Sequence, residues 1–121
     1  MPLKTIATLD VKRLEILGID GTVDKTLMPK VSDKLLLEMY RLMFQIRAFD
    51  ERAILLQRSG RLGTYPMITG QEATQCVPPL ALKPSDWVVH TYRGGGVYFA
   101  RGMQMRYGLL YWVGDDRGTQ F

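Results

Sequence analysis

The chain has 121 residues, 46% of them hydrophobic, a length that suits one ordinary domain and a composition too apolar for disorder. Its 16 Lys and Arg against 12 Asp and Glu leave a net charge of +4 with no long block of one sign, which argues against nucleic acid as the partner. A single cysteine, Cys76, rules out an internal disulfide and suits a reducing compartment, and no apolar run is long enough to cross a membrane, so a cytoplasmic chain is expected.

Residues 1–30 read as an extended arm: Leu14, Ile16 and Ile19 alternate with polar or small residues around Asp20-Gly21, a two-residue hairpin signal, and Pro29 closes the segment. A lone hairpin is marginal in water, so such an arm is expected to lie across a neighbouring surface. Ser32 then reads as a helix N-cap, with the Asp33 carboxylate favoured in the first turn by the helix dipole. From there Leu35, Met39, Leu42, Ile46, Phe49, Ala53 and Leu56 recur in steps of four and three, the spacing of one helix face. Leu36, Tyr40 and Met43 lie beside that face, and Leu37, Phe44 and Leu55 widen it further, so the helix is expected to be covered on more than one side. Arg47 and Glu51, four apart, are expected to pair on the solvent side, and Gly60 reads as a left-handed C-terminal stop.

Residues 61–67 read as a loop. Thr69-Gly70-Gln71-Glu72 has the spacing of a capping box, in which Thr69 accepts from the third amide and Glu72 reaches back; this structural role is preferred to a catalytic one for Gln71 and Glu72. The helix that follows is expected to end near Val77, because Pro78-Pro79 removes two donors and clashes one turn back. Cys76 falls in its apolar stretch and reads as a buried, inert thiol. Val88–His90 reads as a short buried strand, residues 97–101 as helical, Gly102 as a break, and residues 104–113 as a last aromatic-rich helix whose Tyr107, Tyr111 and Trp112 belong to a core or an interface.

The most informative stretch follows the strand. Thr91-Tyr92-Arg93 joins a hydroxyl, a phenol and a guanidinium, and Gly94-Gly95-Gly96 then opens a helix. Three glycines let a backbone approach a ligand closely, helix-opening amides attract anions, and Arg93 offers a planar fork suited to phosphate. Taken alone, these residues leave two readings open: a phosphate or pyrophosphate cradle, or a glycine-rich turn with an arginine on its rim. His90, the sole histidine, reads as a hydrogen-bonded structural residue.

In their order, Ile46-Arg47-Ala48-Phe49-Asp50-Glu51-Arg52, Gly60-Arg61-Leu62-Gly63, Gly70-Gln71-Glu72-Ala73, and Thr91-Tyr92-Arg93 with Gly96-x-x-x-x-Arg101-Gly102 resemble the α subunit of thiamine-diphosphate-dependent 2-oxo acid dehydrogenases, the decarboxylating component. The arm Leu14–Gly21 looks most like the pyruvate-type chains. The resemblance implies an α/β thiamine-diphosphate-binding fold, of which this chain is a mostly helical N-terminal portion (residues 31–121, truncated or split) behind an extended arm at residues 1–30. It also implies that Tyr92 and Arg93 contact the cofactor's diphosphate, while Thr91, Gly94 and Gly95, with Gly96, shape the pocket. Pyruvate-type chains often read Tyr-Arg-Ala-His-Gly here, so Gly94-Gly95-Gly96 is a departure.

Such enzymes hold Mg²⁺ through Gly-Asp-Gly and a later Asn. This chain has no Asn, and Gly114-Asp115-Asp116 has the wrong third position. The metal ligands, and any acid, base or nucleophile of the chemical step, are therefore expected outside this chain, which is expected to be inactive alone. The implied partners are the remainder of the α subunit, a β subunit, a second α chain and a lipoyl-bearing acyltransferase. Branched-chain 2-oxo acid or acetoin dehydrogenase remains an alternative within the family, and a non-catalytic anion-binding or assembly module an alternative outside it.

Overall fold

A computed structural model describes residues 2–120, which divide into two compact units, one up to Val31 and one from Ser32 on. In the first unit a hairpin forms where Asp20-Gly21 calls for one, with a different loop. Gly21 donates to the Gly18 carbonyl at 3.0 Å, Gly18 to that of Thr22 at 2.8 Å, and one antiparallel bridge joins Leu17 to Val23. Gly21 has φ +84°, so the connection is a three-residue loop ending in a left-handed glycine, longer by one than the two-residue turn expected. The extra residue is held by Asp20, whose carboxylate accepts from the Thr22 amide (3.0 Å) and hydroxyl (2.7 Å). The side chains of Leu3, Ile6, Leu9, Val11 and Ile19 are exposed.

The second unit is built on α1, Asp33–Arg58. Its 26 residues make a rod of about 39 Å. The Ser32 side chain caps it by accepting from the Leu35 amide at 3.3 Å, as expected. At the other end Gly60 turns left-handed (φ +71°) and donates to Gln57 while Arg61 donates to Leu56, so the last carbonyls of the helix are satisfied. Three shorter helices follow: α2, Glu72–Leu80; α3, Gly95–Ala100; and α4, Met105–Val113, which leads into a 3₁₀ turn at Asp116–Thr119. α2 packs against both α1 and α3, and α4 against the 3₁₀ turn.

The core forms where the α1 face predicts it. Ile46, Phe49 and Ala53 are buried against Leu62, Tyr65 and Ile68 of the loop, Cys76 of α2 and Phe99 of α3, with Leu42, Leu56, Leu109 and Trp112 packed around them. Phe49 sits edge-on to Phe99 at 4.8 Å between ring centres, and Tyr65 edge-on to Trp112 at 5.7 Å. The second apolar stripe of α1 is uncovered: Leu36, Leu37, Tyr40, Phe44 and Leu55 are all exposed.

Four further expectations need correction. α2 runs through Pro78 and Pro79 to Leu80, because the proline ring presets a helical φ. The amides of Ala81 and Leu82 close the end on the carbonyls of Pro78 and Pro79 (3.1 and 3.3 Å). The capping box does not form as expected: Gln71 is the N-cap of α2 but its side chain makes no capping bond, and the hydroxyl of Thr69 goes to Asp50. Glu72 does reach back, to the amide of Gly70 (3.0 Å), and its other partner is Arg47, which pairs with it at 2.5 Å in place of Glu51. Finally, residues 88–90 form no strand and Val89 is exposed, since a strand needs a neighbour to take its backbone groups and none pairs with this segment among the described residues. The described regular structure is thus mostly helical, with a single bridge in place of a sheet.

Candidate functional site

Two buried acidic groups on α1 and α2 organise the approach to the Tyr92–Arg93 turn. Asp50 is fully buried, and its carboxylate accepts from the Tyr65 hydroxyl (2.8 Å), the Ile68 amide (2.8 Å), the Thr69 amide (3.0 Å) and the Thr69 hydroxyl. That set of bonds ties the loop over residues 65–69 to the middle of α1. Burial, reinforced by the bond to Asp50, pushes the Tyr65 phenol well above its ordinary range. One turn before Asp50, Arg47 holds Glu72. The hydrogen bond from Arg47 keeps the Glu72 carboxyl below its ordinary value, against the opposing effect of burial.

The loop so anchored presents the carbonyl of Met67 to Arg93, whose Nη1 donates to it at 3.0 Å. Arg93 Nη2 donates to the Tyr92 hydroxyl at 3.3 Å, and the guanidinium carbon lies 5.4 Å from the centre of the Tyr92 ring. Tyr92 is 76% exposed and Arg93 half-buried, so the phenol and the guanidinium stand together at the surface on a fixed base.

Of the two readings left open for the glycines, a free amide cradle is not what Gly94 and Gly96 form. The Gly94 amide donates to the Thr91 carbonyl at 2.8 Å, closing the turn, and the Gly96 amide donates to Gln75 Oε1 at 2.9 Å. Two of the three amides are therefore taken up inside the protein, which leaves the side chains of Tyr92 and Arg93 as the polar groups the turn presents at the surface. A Cβ on Gly94 would run into the His90 ring, and one on Gly96 would come within 2.9 Å of the Gln75 side chain. Thr91 is exposed and contributes its carbonyl, which also takes His90 Nδ1 at 2.6 Å. His90 stands edge-on to Tyr98 with ring centres 4.4 Å apart, which fits the structural role expected of it.

Beside the turn opens a cavity of about 200 Å³, walled by Tyr92, Gly95, His90, Tyr98, Tyr65 and Trp112 among others. Arg101, the arginine of Gly96-x-x-x-x-Arg101-Gly102, donates to the carbonyls of Lys83 and Pro84 at 3.0 Å each and of Asp86 at 3.2 Å, fixing the segment that leads into the turn. Among the described residues no group of three His, Cys, Asp or Glu is placed to hold a metal. Asp115 is committed to Arg117, whose hydrogen bonds hold its carboxyl down at about 2, and the buried Cys76 thiol is pushed up to about 11 by desolvation, which suits the inert role expected. Among the described residues no helix is long and apolar enough to cross a membrane.

Asp50, Gln75 and the Met67 carbonyl were not among the residues that sequence singled out for the site. Gln75 lies one helical turn after Gln71, and that spacing is the only local sign that its amide could be held; its long-range partners have no counterpart in the local pattern.

A long helix braced by an Arg–Glu pair, followed by a Gln-Glu helix and a Tyr-Arg turn, defines the class. The chain belongs to the dehydrogenase E1 component family, whose model matches residues 40–120. Its relatives include the pyruvate dehydrogenase E1 component subunit alpha of Staphylococcus epidermidis, 35% identical over 109 residues that make up 89% of this chain and 30% of that protein. The subunit of the same name from Acholeplasma laidlawii is 36% identical over 97 residues, 80% of this chain and 28% of the relative, and that of Staphylococcus aureus is 34% identical over 109 residues, 89% and 30%. The chain thus spans about 30% of the length of the curated relatives it matches.

Proposed function

We propose that this chain is the N-terminal part of the α subunit of a 2-oxo acid dehydrogenase decarboxylating component, acting on pyruvate, and that it contributes the anchor for the diphosphate of thiamine diphosphate. The observation that carries the reading is the Tyr92–Arg93 pair: a phenol and a guanidinium 3.3 Å apart at the surface, on a turn tied to Met67 and Gln75. That donor set suits an oxyanion. Pyruvate is supported by the relatives, which are pyruvate dehydrogenase E1 component alpha subunits.

Bound thiamine diphosphate would supply a thiazolium electron sink for decarboxylation. The residues of this chain bind and orient. Arg93 brings positive charge to the diphosphate, with its plane set by Met67 and Tyr92. Tyr92 adds a hydroxyl donor, and Thr91, Gly94 and Gly95 keep the turn narrow enough for the two side chains to converge. Mg²⁺ would be held by residues outside this chain, as would the groups of the chemical step. The partners are the remainder of the α subunit, a β subunit, a second α chain and a lipoyl-bearing acyltransferase. On this reading residues 31–121 are part of a larger α/β domain whose added strands pair with residues 88–90, and the reducing cytoplasm suits the unpaired Cys76.

The test is reconstitution of this chain with the polypeptides that complete the enzyme. Arg93→Ala should raise the dissociation constant for thiamine diphosphate about ten- to a hundredfold, since a charge-assisted hydrogen bond contributes about 1.5–3 kcal/mol. Arg93→Lys should recover only part of it, keeping the charge and losing the fork. An unchanged constant in both variants would remove Arg93 from the site.

A further inference from the structure

The Tyr92–Arg93 turn is held from below by one side chain that lies outside both Gly70-Gln71-Glu72-Ala73 and Thr91-Tyr92-Arg93. Gln75, on α2, is 7% exposed, and its carboxamide makes three hydrogen bonds. Oε1 accepts from the Gly96 amide at 2.9 Å, while Nε2 donates to the Arg93 carbonyl at 3.1 Å and to Gln71 Oε1 at 3.0 Å. The two backbone groups lie on either side of Gly94 and Gly95, so a single rigid amide plane spans the turn. The pairing is directional: an acceptor must face Gly96 and a donor must face Arg93. Gly96 is glycine for the same reason, because a Cβ there would stand 2.9 Å from both the Cβ and the Oε1 of Gln75.

We infer that Gln75 is a positioning residue for the anion site: by clamping the backbone at Arg93 and Gly96 it sets where the Arg93 guanidinium and the Tyr92 hydroxyl converge. Gln75 touches no ligand and acts through the turn. With the clamp released, the Arg93 side chain keeps its bond to the Met67 carbonyl while its own backbone is free to drift, and the two donors lose their fixed separation. The inference rests on the reading of Tyr92–Arg93 as a diphosphate anchor.

The experiment uses the 121-residue chain, with inorganic pyrophosphate as the probe. Pyrophosphate titrations, melting curves and amide hydrogen exchange at Gly96 are compared for the wild type, Gln75→Leu, Gln75→Glu and Arg93→Ala. Gln75→Leu substitutes an apolar side chain of similar size and removes all three bonds. It should weaken pyrophosphate about tenfold and speed exchange at Gly96 by a like factor, with an amide spectrum otherwise unchanged. Gln75→Glu keeps the acceptor for Gly96 and sets an oxygen against the Arg93 carbonyl, so it should weaken pyrophosphate while leaving Gly96 protected. That split would not arise from a general loss of packing, and it decides the matter if Gln75→Leu does not fold. Loss of binding in Arg93→Ala with wild-type affinity in both Gln75 variants would overturn the clamp and leave the anchor standing. If pyrophosphate fails to bind the wild type, or binds Arg93→Ala equally well, the anchor reading falls. The clamp is then judged by exchange alone, and unchanged Gly96 protection in Gln75→Leu would overturn it.

Discussion

Residues 47 and 50, one turn apart on α1, and residue 72 at the start of α2 show how three charged side chains can do different work at one helix–helix contact. Asp50 is surrounded by donors from a loop that has no regular structure of its own, so its carboxylate takes the place of a strand or helix ladder in satisfying those amides. Glu72 is held by Arg47 from α1 and caps Gly70 just before α2, which couples the two helices. Because the bond from Arg47 lowers the Glu72 carboxyl below its ordinary value, the folded state binds a proton there less readily than the unfolded chain does. Its stabilisation is therefore fully present above the ordinary carboxyl range and is lost as the pH falls through the lowered value. Melting temperatures measured from about pH 7 down to about pH 3 should fall more steeply at the acid end for the wild type than for Glu72→Gln. Asp115, held at about 2 by Arg117, titrates in both proteins and cancels in the comparison. Parallel curves would show that the Arg47–Glu72 pair does not couple to folding.

At the scale of the element, α1 has two apolar faces with opposite fates. Ile46 is fully buried in the core, whereas Phe44, two residues away on the far side, is 66% exposed. Ile46→Ala should destabilise the chain by about 2–5 kcal/mol, through lost transfer energy and the cavity left behind. Phe44→Ala should change stability by no more than about 0.5 kcal/mol, as an exposed substitution does. Urea melts of the two variants make the comparison, and equal losses would mean that both faces are covered. The pattern alone marks both stripes as apolar; which one finds a partner within the chain depends on where the loop over residues 61–70 and α3 are brought.

For the whole molecule, the exposed apolar surface outweighs what a small monomer commonly shows. Leu36, Leu37, Tyr40, Phe44 and Leu55 on α1, Trp87 and Val89 before the turn, and Leu3, Ile6, Leu9, Val11, Leu14 and Ile19 of the arm are all exposed. The isolated chain is expected to self-associate, with a scattering mass that rises with concentration, and a double substitution, Leu37→Glu with Phe44→Glu, should lower that mass without touching the Ile46 core. A wild-type chain that scatters as a monomer at every concentration, with a cooperative melt, would contradict this.

Local chemistry determined much of this protein before any fold was known. The steps of four and three along α1, the Ser32 cap, the left-handed stop at Gly60 and the pairing of Tyr92 with Arg93 on a glycine turn all act within a few residues, so they are legible in the chain itself. Tertiary structure decided what depends on partners far apart in sequence. Arg47 chose Glu72 over the neighbouring Glu51, Thr69 gave its hydroxyl to Asp50 instead of capping α2, and Gln75 took the Gly96 amide that would otherwise open toward a ligand. Residues 88–90 show the same dependence from the other side. Their β-branched run favours a strand, yet a strand exists only when another takes its hydrogen bonds, and no such partner is present among the described residues.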